Sequence, residues 1–211
     1  MSSLAGVSTD AVVFDVGGVL LDWNPRHLYR KLFADEREME RFLAEICTLD
    51  WHAAHDLGTP YSESLPRLAA EHPEHEDMIL AWGRRSEEMI AGPIPGTVDI
   101  LGELRDRDVR CYALTNMEAE TYPLRLERYD FMRWFDGTVV SATEGVAKPD
   151  PEAFLLLLRR YDLVPKRTLL IDDSERNIRA ARALGMRTLH FRSPEQLRER
   201  LLREGLLAAG D

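Results

Sequence analysis

Residues Ala11 to Val16 read AVVFDV, and Gly17-Gly18 follow at once. A short apolar run of β-branched and aromatic residues, without alternating polar ones, is the pattern of a strand buried on both faces, as in a parallel sheet. Open parallel sheets place their chemistry at the carboxyl ends of the strands. Asp15 stands at such an end. Two glycines there let the backbone turn sharply and let a ligand come close. Taken alone, the same residues also describe a strand that stops at an Asp-containing turn.

The remainder of the chain predicts the kind of sheet. Strands are expected over 109–114, 137–141, 168–171 and 187–191. Helices are expected over 97–106, over 117–128 with Pro123 interrupting, over 150–161, over 174–184 closed by Gly185, and from Ser193-Pro194 onward. Asp150, Pro151 and Glu152 make a good helix start. Strands alternating with helices predict an α/β fold, a doubly wound, Rossmann-like parallel sheet. Residues 18–23 read as a tight hairpin or loop. From His27 to about Met89 the apolar spacing is helical, with Leu28, Leu32, Phe33, Met39, Phe42, Leu43 and Ile46 at intervals of three and four, and no strand is expected there. Proline and glycine between Gly92 and Gly96 mark the exit. The expected division is a catalytic core over 1–22 and 93–211, with a small helical cap over 23–92 inserted after the first strand.

Composition narrows the function. The 211 residues, 45% hydrophobic, suit one core with an insertion. A net charge of -10 argues against non-specific nucleic-acid or anionic-membrane binding. Cys47 and Cys111 suggest no disulfide framework, and Cys111 reads as a small buried hydrophobe. The opening MSSLAGVSTD lacks the basic start and apolar stretch of a signal peptide, and no run is long enough to cross a membrane. A cytoplasmic monomer or homodimer is expected.

Several expected strand ends carry polar groups that a parallel sheet would bring to one edge: Asp15, Thr115-Asn116 and Asp172-Asp173, with Lys148 just before the 150–161 helix. A carboxylate can act as nucleophile and form an aspartyl-phosphate. Clustered carboxylates repel one another, and a hard cation such as Mg²⁺ relieves that while binding substrate phosphate. The Thr115 hydroxyl and Asn116 amide suit phosphate oxygens, and Lys148 can meet the charge of phosphate and nucleophile. Each part alone also reads blandly, as a turn, a solvated loop or a helix cap.

In order, FDVGGVLLD, ALTN, VAKPDPEAF and LLIDDSERNIRAA resemble the motifs of the haloacid dehalogenase-like hydrolase superfamily, over the whole chain. The resemblance implies a Mg²⁺-dependent phosphatase acting on a small phosphorylated metabolite. It is nearest to bacterial sugar-phosphate phosphatases of the glucose-1-phosphate type, which share an Asp-x-Gly start. It implies Asp15 as nucleophile, metal binding by Asp15, the Gly17 carbonyl and Asp173 with Asp172 nearby through water, and a phosphoryl clamp of Thr115, Asn116 and Lys148. Most phosphatases of this superfamily carry an acid/base Asp where this chain has Gly17. Asp22, His55 and Asp56 are candidates to replace it. Three alternatives stand beside this reading. A metal-independent 2-haloacid dehalogenase has no use for the Asp172-Asp173 pair. A non-catalytic binding or regulatory protein would have kept the fold and lost the acid/base. A phospho-accepting receiver domain carries its acid pair near its start. In the cap, His52, His55 and Asp56 can reach substrate or simply pack, and the histidine spacing would suit Zn²⁺, but no third ligand matches.

Overall fold

The computed structural model describes residues 8–208. Most of the opening stretch read for a leader, residues 1–7, lies outside them. Ala11–Phe14 (β1) is buried along its whole length. Leu21–Trp23 (β2) follows, then Arg26–Tyr29 (α1), Glu36–Glu45 (α2), Leu49–Asp56 (α3), Tyr61–Glu71 (α4) and Glu76–Arg84 (α5), and Ile90–Pro93 (β3) returns. The alternating part comprises Pro95–Asp106 (α6), Arg110–Thr115 (β4), Tyr122–Arg128 (α7), Gly137–Val140 (β5), Ser141–Glu144 (α8), Pro151–Arg160 (α9), Thr168–Asp172 (β6), Glu175–Ala183 (α10), Arg187–His190 (β7) and Pro194–Arg203 (α11).

The main sheet has the order β5-β4-β1-β6-β7, with every neighbouring pair parallel. Successive residues of each strand point to opposite faces, and here both faces are apolar. Val12 and Phe14, Cys111 and Ala113, and Leu169 and Ile171 pack against α6 and α11 through Ile100, Leu101, Leu104, Leu197 and Leu201. Ala11 and Val13, Tyr112 and Leu114, and Leu170 pack against α9 and α10 through Phe154, Leu157, Ile178 and Ala181. The sheet is thus wound on both sides. Its central strand, β1, has β4 on one side and β6 on the other, so Asp15, Thr115-Asn116 and Asp172-Asp173 end on one edge.

Helix starts follow the expected chemistry. Asp150 accepts from Glu152 N at 2.9 Å, and Pro151 opens α9. Ser193 accepts from Gln196 N at 3.3 Å ahead of Pro194. Gly185 closes α10 with φ +81°, a conformation that favours glycine. Cys47 and Cys111 are both free and buried.

Three local readings are corrected. Residues 117–121 are not helical. Met117 N donates to Ser141 Oγ at 3.0 Å instead, and α7 starts at Tyr122 with Pro123 in its first turn, where a missing N–H costs nothing. The strand expected to reach Ser141 ends at Val140, because Ser141 opens α8. The stretch read as a tight hairpin or loop holds β2, and the proline-glycine exit holds β3, while 27–89 carries no strand. The two strands pair antiparallel, Leu21 opposite Pro93 and Trp23 opposite Ile90. A three-residue strand carries too little alternation to be seen in sequence.

A second core lies among α1–α5, built on Leu28, Tyr29, Met39, Phe42, Leu65 and Trp82. Trp82 is fully buried, with ring centroids of Trp51 at 5.4 Å, His52 at 5.2 Å and Tyr29 at 5.9 Å. Its indole N–H donates to the Tyr61 hydroxyl at 3.2 Å. Truncating a buried Trp costs the transfer free energy and leaves a cavity. Trp82→Ala is expected to lower stability by about 3–5 kcal/mol, read as a fall in the denaturant midpoint. A change within about 0.5 kcal/mol, the size of a surface substitution, would contradict this packing.

Candidate active site

Asp15 leaves β1 with its N–H bonded to Ile171 O of β6 at 2.9 Å, which fixes its backbone on the sheet edge. One carboxylate oxygen accepts from Val16 N at 2.6 Å. The other lies 2.8 Å from Lys148 Nζ. The same ammonium sits 2.7 Å from Asp172 Oδ2. Lys148 is itself held by the side-chain amide of Asn116, which donates to Lys148 O at 2.8 Å and accepts from Lys148 N at 2.9 Å. An amide has two N–H donors, so Asn116 keeps one for a ligand.

Asp15, Asp172 and Asp173 each offer a carboxylate oxygen, all within 4.8 Å of one another. Burial pushes the Asp15 carboxyl up to about 8; Lys148 opposes this, and Asp172 and Asp173 add to it. Burial and Asp172 also raise Asp173. Lys148 is raised: burial favours its neutral form, and the two carboxylates outweigh that. Asp172 is fully buried, and its oxygens also accept from Ser174 N at 2.9 Å and Asn177 Nδ2 at 2.9 and 3.1 Å. With its lone pairs so engaged, Asp172 is suited to the outer side of the cluster. Gly18 takes φ +74°, and a side chain there would overlap the Asp173 carboxylate. Gly17 is open, the nearest atom to a Cβ built on it being Trp23 Cβ at 3.9 Å.

A cavity of about 610 Å³ opens over this edge, with Asp15, Asn116, Lys148 and Asp173 on one side and Trp23, His52 and Asp56 on the other. Thr115 is buried, does not line the cavity, and donates its hydroxyl to Asn116 O at 3.4 Å. Two candidates to replace the side chain missing at Gly17 fall away. Asp22 is exposed, pairs with His27 at 3.0 Å, and is off the cavity wall. His55 is 1% exposed. Its Nδ1 donates to His52 O at 3.0 Å, which leaves Nε2 to accept from Ser64 Oγ at 2.6 Å. With both nitrogens engaged, His55 is a packing residue and no Zn²⁺ pair forms with His52. His52 does line the cavity, stacked on Trp23 at 5.4 Å, with Nε2 3.3 Å from Glu118 Oε1. Burial lowers its pKa.

Three residues beyond the expected set belong here. Asn177 orients Asp172, and its signal is a polar residue within the buried stripe of α10 formed with Ile178 and Ala181. Glu118 accepts from Tyr61 and Thr121 beneath His52, although its Glu-Ala-Glu setting reads as a solvated face. Arg125 is 3% exposed, lines the cavity and pairs with Glu87; nothing in its sequence setting marks it.

The haloacid dehalogenase-like hydrolase family model matches residues 9–185, which takes in the whole of this edge. The chain belongs to the haloacid dehalogenase-like hydrolase family. It is 29% identical over 188 residues to a phosphorylated carbohydrates phosphatase of Thermotoga maritima, covering 86% of this chain and 84% of that one. It is 29% identical over 182 residues to a sesquiterpene phosphatase of Aspergillus oryzae, covering 86% and 89%. The fold matches a haloacid dehalogenase-family enzyme of Bacteroides thetaiotaomicron solved with magnesium and inorganic phosphate, with TM-score 0.68, 20% identity, and 88% and 96% of the two chains covered. As a hydrolase of this family with phosphatases among its relatives, the chain has the enzyme class that its motifs implied. Among the described residues, no helix is long and apolar enough to cross a membrane.

Proposed function

We propose that this hydrolase is a Mg²⁺-dependent phosphomonoesterase acting on a small phosphorylated metabolite, such as a sugar phosphate, through an aspartyl-phosphate on Asp15. The observation that carries the reading is the convergence of three carboxylates and one buried lysine, of which Asp15, Asp173 and Lys148 line a single cavity and Asp172 lies buried behind them. Three acids so close fit a hard divalent cation, and glycine at position 18 keeps the space beside Asp173 clear. Asp15, Asp173 and the Gly17 carbonyl would hold Mg²⁺ directly, with Asp172 behind them. When bound, the ion would neutralise charge on the carboxylates and the phosphoryl group. The helices over 23–92 serve as a cap that shuts water out of the cavity.

The chain's own groups have separable tasks. Lys148 pairs with Asp15 and Asp172 and is placed to meet the phosphoryl oxygens when substrate enters. Asn116 fixes the Lys148 backbone and offers its spare N–H. Thr115 supports that turn from within. The Asp15 oxygen facing Lys148 is the attacking atom, because the other accepts from Val16 N.

Phosphate release from a panel of phosphorylated metabolites tests this. Turnover is expected to vanish in chelator and return with Mg²⁺. Full activity in chelator would overturn the reading in favour of metal-independent chemistry on Asp15.

A further inference from the structure

Breaking a phosphate ester leaves an alkoxide unless a proton reaches the departing oxygen, and Gly17, beside the nucleophile, has no side chain to give one. The other proton-bearing groups around the cavity are committed elsewhere, save Asp50, which is exposed to solvent at the start of α3. Lys148 is shared between Asp15 and Asp172. Glu40 is locked in a two-bond pair with Arg26 at 2.6 Å. Glu118 accepts from Tyr61 and Thr121. His52, whose pKa burial lowers against the pull of Glu118, has its Nε2 turned to Glu118.

Asp56 differs from all of these. It lines the same cavity as Asp15 and Lys148, and its carboxyl has no hydrogen bond or ion pair among the described residues. It is the last residue of α3, where the helix dipole disfavours negative charge. The turn that follows rests on the sheet side of the cavity: a Cβ at Gly58, which has φ +103°, would lie 3.2 Å from Ala142 O. The neighbouring His55 ties α3 to α4 through Ser64. Asp56 is therefore held at the cavity by contacts on both sides.

We propose that Asp56 is the general acid for ester cleavage and the general base for hydrolysis of the aspartyl-phosphate, an assignment that rests on the phosphatase reading above. In the first step an Asp15 oxygen bonds to phosphorus and the ester P–O bond breaks. The bonding pair passes to the leaving oxygen, which takes the Asp56 proton and departs as the alcohol. In the second step Asp56 carboxylate takes a proton from water as the water oxygen bonds to phosphorus. The P–O bond to Asp15 breaks, its carboxylate is restored, and inorganic phosphate leaves. The charge environment suits both steps. Burial raises the Asp56 carboxyl to about 7, Glu118 adds to the rise and Lys148 opposes it; Tyr61 and the adjacent His55 are titratable groups nearby. An acid so placed is protonated in part and ionised in part near neutral pH.

The test compares Asp56→Asn with the wild type, both in saturating Mg²⁺, on phosphate monoesters graded from 4-nitrophenyl to simple alkyl. On the alkyl esters kcat/KM is expected to fall by about 10²–10⁴-fold. The deficit shrinks as the leaving group becomes more acidic, so the slope of log kcat/KM against leaving-group pKa steepens. The high-pH decline in the alkyl-ester profile, set by loss of the Asp56 proton, disappears in the variant. With 4-nitrophenyl phosphate a nitrophenol burst precedes a slow steady state, and its amplitude counts folded sites. An equal deficit on every ester, or a slope and pH profile identical to the wild type, overturns the assignment. Failure of the phosphatase reading itself looks different: the wild type then releases no phosphate from any ester in Mg²⁺.

Discussion

Asp15→Asn is expected to reduce phosphate release by on the order of 10⁵–10⁶-fold, the scale seen when a nucleophile is removed from an otherwise intact site. Asn keeps the shape and the acceptor for Val16 N but cannot attack phosphorus. The fold should persist, and in chelator it should gain stability on the alkaline side. Burial raises the Asp15 carboxyl from the ordinary carboxylate range to about 8. A group raised in the folded state contributes stability fully at low pH and loses it as pH climbs through the folded value. Metal-free wild type should therefore lose stability between about pH 4 and pH 8 through this residue. Thermal unfolding of both proteins at pH 5 and pH 8 checks this. If the Asn variant shows the same pH slope, or hydrolyses substrate at the wild-type rate, Asp15 has been given the wrong task.

Lys148→Ala is the second large change, and it acts on fold and function together. Lys148 is buried between two carboxylates at 2.7 and 2.8 Å. Removing one member of a buried charge network strands the others, at a typical cost of about 3–5 kcal/mol. Asp15 and Asp172 would then face each other with no cation between them. Phosphate release should fall by several orders of magnitude as well. Lys148→Arg is not expected to rescue, because a planar guanidinium does not reproduce a point charge set between two oxygens. Denaturant midpoints in chelator and steady-state rates in Mg²⁺ read the two effects separately. A Lys148→Ala protein as stable as the wild type would mean that Asp15 and Asp172 share a proton, with no need of the lysine.

Legibility in the sequence varied with how local the signal was. Residues 11–14 announce a strand buried on both faces because every position is apolar, and the structure divides that strand between two cores. Asp15, Lys148, Asp172 and Asp173 stand out because each follows a strand or precedes a capped helix, so topology alone brings them near one another. What Asn116 does was not readable: its amide braces the Lys148 backbone, a contact across 32 positions. Glu118 and Arg125 were invisible because surface helices and buried networks use the same charged residues. His52 and His55 share a helix face by spacing, yet the distant Ser64 occupies one and Glu118 the other. The β2 and β3 strands escaped because short ribbons are held by a partner far along the chain and not by their own pattern.

That ribbon bears on the order in which the molecule assembles. The central strand must find Arg110 across a parallel register from Ala11, with the whole helical segment lying between them in the chain. Loop-closure entropy grows with the logarithm of the intervening length, and parallel pairing is slow for that reason. Once Leu21 meets Pro93 and Trp23 meets Ile90, the helical segment is tied off as a closed side loop. The chain still to be gathered shrinks to the short stretches on either side of the ribbon. A chain that completes its helical body first thus brings the two halves of its sheet together over a much shorter search.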